Sequence, residues 1–139
     1  MDRREEIIRL WFDMWIQQKD LGIDDIFADH VIYTESWGPQ YENCKMVKHW
    51  FEEWNTRGKV LVWQIKQFFH HENQTVVEWY FKNQMNNGNI EEFDGMSLVV
   101  WTDDNKIKLL KEFGCNLHNY NPYQGSEIPV FREEKVNWF

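Results

Sequence analysis

Cysteine, proline and glycine are all scarce in this chain, whose 139 residues include only 2 Cys, 3 Pro and 7 Gly. Cys44 and Cys115 stand far apart with no metal-type spacing, so both are expected as isolated reduced thiols rather than a disulfide. Basic residues are outnumbered, with 15 Lys and Arg against 23 Asp and Glu for a formal charge of −8. Nucleic acid and anionic membrane surfaces are held by clustered cations, so neither is expected as a partner. No stretch is long and apolar enough to span a bilayer, and MDRREEIIRLWFDMW breaks its apolar residues with charges, unlike a signal-peptide core. The expectation is one cytoplasmic domain with neutral, cationic or protein partners, in which the sequon Asn73-Gln-Thr75 carries no function.

What the chain has in excess is aromatic surface: 9 Trp, 10 Phe and 5 Tyr, 17% of the residues. Such rings fill cores, line ligand cavities or anchor interfaces, and their placement decides among these. Ile7, Ile8, Trp11, Met14 and Trp15 recur at three- and four-residue spacing, which predicts an amphipathic helix from Arg3 to Lys19. A short helical turn over Gly22 to Ala28 leads into VIYTESWG, read as a strand with Tyr33, Glu35 and Trp37 on one side. Met46, Val47, Trp50, Phe51 and Trp54 predict a second helix, capped by Asn43 and ended by Gly58.

From Lys59 the period changes to two, with Leu61, Trp63, Ile65 and Phe69 assigned to one face of a strand. TVVEWYFKNQM, IEEFDGMSLVVW and KIKLLKEFG read as further strands, separated by Asn86-Asn-Gly-Asn89 and Thr102-Asp-Asp-Asn105 turns. Helices followed by an antiparallel meander make an α+β class. The tail from Asn116 has no period, yet its apolar tip Val136-Asn-Trp-Phe139 is expected to pack on the domain or on a partner subunit.

The order of an amphipathic helix, Phe27-Ala-Asp-His30 before a strand, a Gly-Pro turn, a Trp-rich helix and long strands with Val77-Glu-Trp79 and Phe93-Asp-Gly-Met-Ser97 resembles the SnoaL-like branch of the nuclear-transport-factor-2-like superfamily. Polyketide cyclases and ketosteroid isomerases belong to that superfamily. The resemblance runs over about residues 5–115, which sets residues 1–115 as the domain and 116–139 as a C-terminal extension. It implies N-terminal helices packed in the concave face of a curved, mainly antiparallel sheet, a cone-shaped α+β barrel, with a pocket between sheet and helices and a homodimer. Alignment with a ketosteroid isomerase implies Glu35 as the general base and Asp94 as the protonated acid of the oxyanion hole. The isomerase's oxyanion-hole tyrosine falls at Phe12, which leaves Tyr33 as the candidate replacement.

Enolisation beside a carbonyl needs a base to take a proton and a donor to hold the developing oxyanion, and burial suits carboxylates to both tasks. Glu35 and Asp94 are therefore the candidate catalytic residues, with Tyr33, Trp37, Trp54, Met96, Leu110 and Glu112 as candidate ligand contacts. Trp50, Trp63 and Trp79 are core residues or further pocket lining. Each acid has a bland alternative. Glu35 would be a surface carboxylate or bond the following turn, Asp94 would cap a bulge before its glycine, Glu78 would lie on the outer face, and Glu112 would pair with a lysine. Which face of KIKLLKEFG points inward is open, because Ile107, Leu109 and Phe113 form its more apolar set.

The five histidines have no metal-ligand spacing, and no glycine-rich phosphate loop or nucleophile elbow occurs, so no metal or cofactor is expected. The epoxide hydrolases of this fold use an Asp-Arg-Asp set, and no arginine lies in the predicted strands. The expected ligand is a small, largely apolar or aromatic molecule, handled by an isomerase or cyclase through general acid–base catalysis. The alternatives are a non-catalytic binding or dimerisation module, and a protein-recognition module that would expose Trp101 and Trp138.

Overall fold

The computed structural model describes residues 2–132. Three helices, α1 (Arg3–Gln17), α2 (Ile23–Ile26) and α3 (Cys44–Arg57), combine with six strands. The strands are β1 (Phe27–Thr34), β2 (Gln40–Tyr41), β3 (Gly58–His71), β4 (Gln74–Met85), β5 (Ile90–Trp101) and β6 (Ile107–Cys115). They form one α+β unit with strand order β2-β1-β6-β5-β4-β3, in which β1 and β6 run parallel and every other pair is antiparallel. The sheet is open, since β2 and β3 are its two edges and do not pair with each other.

Local chemistry sets the helix ends. Asp2 Oδ1 accepts from the N–H groups of Arg4 and Glu5 at the start of α1, and Asn43 Oδ1 accepts from Met46 N–H at 2.8 Å at the start of α3. Gly58 closes α3 by donating its N–H to the Trp54 carbonyl. The apolar stripe of α1 buries Ile7, Ile8, Trp11, Phe12, Met14 and Trp15 against the inner face of the sheet, with α1 packed over β3 and α3 beside β1. Burial of each such side chain contributes on the order of 2 kcal/mol.

Two bulges correct the predicted face of β3. The register advances two residues on β3 for one on β4 between Val60 and Val62 and again between Ile65 and Gln67. Each extra residue flips the alternation and bends the strand. Val60, Trp63, Ile65 and Phe68 therefore belong to or pack against the core, whereas Leu61 and Phe69 are exposed. On β6 the inner residues are Leu110 and Glu112, while Phe113 is 50% exposed. Trp101 is buried and donates its Nε1–H to Thr75 Oγ1, so it offers no outward ring for protein recognition.

After β6 the described chain has no helix or strand. The predicted packing of Val136-Asn-Trp-Phe139, including Trp138, falls outside the described residues. Among the described residues no helix is long and apolar enough to cross a membrane.

Candidate functional site

The concave face does not fill completely. A cavity of about 630 Å³ opens between sheet and helices. Aromatic rings make most of its wall: Trp15 from α1, Trp50 and Trp54 from α3, and Trp63, Trp79 and Phe81 from β3 and β4. The turn between β1 and β2 supplies Glu35 and Trp37, and β6 supplies Glu112.

Glu35 lies one residue past the end of β1. Its N–H donates to the Pro39 carbonyl at 2.9 Å and its carbonyl accepts from Gly38 N–H at 3.1 Å, which fixes the turn. Gly38 has φ +125°, a conformation that favours glycine. The turn aims the carboxylate inward, where Oε2 accepts from Tyr41 Oη at 2.7 Å. Burial raises the Glu35 pKa above its usual 4.5, while hydrogen bonds from the Tyr41 and Trp37 side chains and the Arg57 charge pull it back.

Glu112 is held by a chain of donors from the core. Trp11 Nε1 donates to Tyr33 Oη at 3.2 Å, and Tyr33 Oη donates to Glu112 Oε2 at 2.7 Å. Burial and the Glu35 charge push the Glu112 pKa up from 4.5 to about 8, against the opposing hydrogen bond from Tyr33. Burial together with the Glu112 charge keeps Tyr33 protonated far above neutral pH. With its pKa pushed up to about 8, Glu112 is the carboxyl of the pair that keeps its proton near pH 7.

The remaining wall orders these acids. Tyr41 stacks on Trp50 with centroids 4.5 Å apart, which places its hydroxyl for Glu35. Phe12 stacks on Trp63 at 3.8 Å, an apolar contact at the position where the resemblance implied a tyrosine donor. Gly95 lets the Trp79 indole lie across β5, and Trp79 Nε1 donates to Ser97 Oγ at 2.9 Å. Arg57 reaches the cavity from the end of α3 and holds Glu53 through two hydrogen bonds of 2.7 and 3.0 Å.

The eight predicted site residues thus divide. Glu35, Trp37, Trp54 and Glu112 line the cavity, with Trp37 at the rim and 56% exposed. Tyr33 is fully buried behind Glu112, and Leu110 is a core residue. Asp94 and Met96 are not brought to the cavity. Phe93, Gly95 and Ser97 occupy the inner face of β5, so their alternates point outward. Asp94 pairs there with Lys66 at 2.9 Å and Met96 is 41% exposed. The oxyanion-hole assignment to Asp94 is corrected by that placement. Glu78, also outward, accepts from Gln67 at 2.6 Å.

Sequence reasoning did not single out Trp15, Tyr41, Arg57, Asn83 or Glu91 as cavity residues. Helical spacing marks Trp15 only as apolar, while Tyr41 and Arg57 come from a two-residue strand and a helix end, where periodicity carries no signal. Among the described residues, one group of metal-ligating types, Asp2, Glu5 and His70, brings its ligand atoms within 4.8 Å of one another. None of them lines the cavity, and the helix cap and a His70–Glu5 contact of 2.8 Å already engage them. The two thiols are free, Cys44 buried and Cys115 exposed.

Comparison with known proteins finds a match to the SnoaL-like domain over residues 8–110. No curated protein matches the chain in sequence. Among solved structures, the fold is similar to an NTF2-like protein from Exiguobacterium sp. 255-15, with TM-score 0.66, 15% identity, and 78% of this chain and 98% of that one covered. A protein of ketosteroid isomerase-like fold from Catenulispora acidiphila DSM 44928, in complex with trimethylamine, matches with TM-score 0.66 and 14% identity over 81% of this chain and 86% of that one. A LEH-like epoxide hydrolase from M. tuberculosis matches with TM-score 0.71 and 10% identity over 81% and 82%. At such identities these likenesses establish the fold.

Proposed function

The chain belongs to the SnoaL-like domain family, and we propose that it is an acid–base catalyst acting on a neutral, enolisable carbonyl compound held in the aromatic cavity. The observation that carries this reading is the pair of carboxyls lining one aromatic cavity, Glu35 accepting from Tyr41 at 2.7 Å and Glu112 from Tyr33 at 2.7 Å, with burial and the Glu35 charge pushing Glu112 up to about 8. In the proposed step the α-C–H bond breaks and its proton passes to the Glu35 carboxylate. The freed electron pair forms the enol double bond, and the carbonyl π pair moves onto oxygen, which accepts a hydrogen bond from Glu112. Return of the proton to a different carbon is isomerisation, and attack of the enolate on a second carbonyl is cyclisation. Tyr33 acts through Glu112 as a positioning residue. Epoxide opening by an Asp-Arg-Asp set fits poorly, since the cavity's arginine, Arg57, comes from the end of α3 and is already held by Glu53 through two hydrogen bonds.

The test is deuterium incorporation at the α-carbon of a panel of cyclic and aromatic ketones in D2O, followed by NMR. Glu35→Gln is expected to slow exchange by about 10²- to 10⁴-fold, the usual contribution of a general base. Exchange unaffected by that substitution would sink the reading.

A second reading has its own support. Trp37, Tyr41, Trp50 and Trp54 line the cavity along with Glu35, as an ammonium ligand requires, and the Catenulispora acidiphila protein is in complex with trimethylamine. The two readings part on pH. An amine binds more tightly as Glu112 ionises above about pH 8, whereas a ketone needing its proton binds less tightly. The proposal includes a homodimer through the outer sheet face, where the cross-strand partners Met96 and Phe113 are 41% and 50% exposed.

A further inference from the structure

One acid in the cavity wall takes no part in the Glu35–Glu112 pair. Glu91 lines the cavity from the start of β5, and its carboxylate has no hydrogen-bond or ion-pair partner among the described residues. Its side chain shares the inner face with buried Phe93, and its cross-strand partner Asn83 is buried as well. Burial raises the Glu91 pKa above 4.5, and no donor or cation opposes that shift. A half-buried carboxylate without a partner is costly, and a cation brought to it relieves the cost.

The strand register sets Glu91 toward the other end of the cavity from Glu35 and Glu112. Asn83 lies opposite Glu91, Phe81 opposite Phe93 and Trp79 opposite Gly95, before Ser97 pairs with Glu112. The inner face between the acids is therefore aromatic. The Phe81 and Phe93 ring centroids are 5.2 Å apart, and those of Trp79 and Phe93 are 5.6 Å apart. Six residues of β5 separate Glu91 from Ser97, about 20 Å of backbone, and the inward reach of both side chains on a concave sheet shortens the gap between carboxylates.

The cavity thus carries acids at both ends and rings between them. Arg57, the cation in its wall, is already held by Glu53. A metal ion needs several ligands converging on one point, and Glu91 is not part of the group Asp2, Glu5 and His70 that does so among the described residues. An ammonium needs one carboxylate and gains from nearby rings, while an alkyl chain suits Trp79, Phe81 and Phe93. We propose that Glu91 forms a second ammonium subsite and that the cavity takes a linear diamine, with one nitrogen at Glu35 and the other at Glu91. This rests on the amine reading above and narrows it, because a monoamine leaves Glu91 unmatched.

The test compares 1,6-diaminohexane, 1,8-diaminooctane and 1,10-diaminodecane with hexylamine, octylamine and decylamine. Affinities are read by isothermal titration calorimetry for wild type, Glu91→Gln and Glu35→Gln. At the best-fitting length wild type is expected to bind the diamine about tenfold more tightly than its monoamine, the effect of one charge-assisted hydrogen bond. Glu91→Gln brings the two within about twofold with a melting temperature unchanged or raised, and Glu35→Gln weakens both. Equal wild-type affinities at every length, with the monoamine still dependent on Glu35, would make Glu91 a solvated acid and overturn the subsite while the amine reading stands. A diamine preference that survives Glu91→Gln would also overturn it. So would an equal loss for both ligands with a lowered melting temperature, which makes Glu91 structural. If no amine binds, the subsite and the amine reading fall together, and the carbonyl reading rests on its own deuterium-exchange test.

Discussion

Replacing Glu112 with glutamine removes one titrating carboxyl and keeps the shape and the acceptor for Tyr33. In the unfolded chain that carboxyl titrates near 4.5, and in the folded protein near 8. Between these values the folded state holds a proton that the unfolded state has released, so its contribution to stability is complete below pH 4.5 and is lost as pH rises through 8. From pH 5 to pH 8 the integrated loss is about 3 kcal/mol, an upper bound because Glu112 borders the cavity, where water screens its charge. At about 3–5 °C per kcal/mol for a domain of this size, that corresponds to about 10 °C in Tm. Thermal unfolding followed by circular dichroism at one-unit pH steps should show wild type and Glu112→Gln melting close together at pH 5. The variant should melt about 10 °C higher at pH 8. Glu35 is released from its neighbour's charge in the same variant, so the difference belongs to the pair. Parallel curves, or a variant less stable at pH 8, would refute the reasoning.

Two other perturbations address the scaffold and the assembly. A Cβ at Gly95 would overlap the Trp79 indole and approach the Phe113 carbonyl to 2.7 Å, so Gly95→Ala should cost about 1–3 kcal/mol in urea unfolding by displacing a cavity wall. Phe113→Glu places a charge on the outer face opposite Met96 and should convert a dimer into a monomer in sedimentation, with the melting temperature of the monomer within a few degrees of wild type.

Much of the fold was legible because local signals agreed. The stripes of α1 and α3, the Asn43 cap, the Gly58 stop and the Asn86-Asn-Gly-Asn89 turn all lie where periodicity and turn chemistry put them. Gly88 has φ +88° in that turn, as a tight reversal needs. The faces of the strands were less legible, for two physical reasons. Bulges on β3 shift the alternation without altering composition, and so exchange Phe68 for Phe69. The outer face is itself partly apolar, so hydrophobicity could not choose between Phe113 and Glu112 on β6 or reveal that Asp94 and Met96 turn outward on β5.

The acids show the same limit. Glu35 reaches the cavity from a turn, beyond the strand whose alternation was used to place it, and depends on the Gly38 and Pro39 backbone contacts for its direction. Glu112 reads in sequence as one charge in a lysine-rich strand. Only the distant Trp11 and Tyr33, brought together by α1 and β1, mark it as an interior acid.

The account turns on Glu112 being a neutral acid at physiological pH. Its most direct test is a 13C NMR titration of glutamate side-chain carboxyls in the folded protein, with Glu112→Gln used to assign the resonance. The expected result is a signal that titrates near pH 8, with Glu35 ionising at lower pH. A Glu112 signal that titrates in the ordinary carboxylate range, near 4.5, would contradict it.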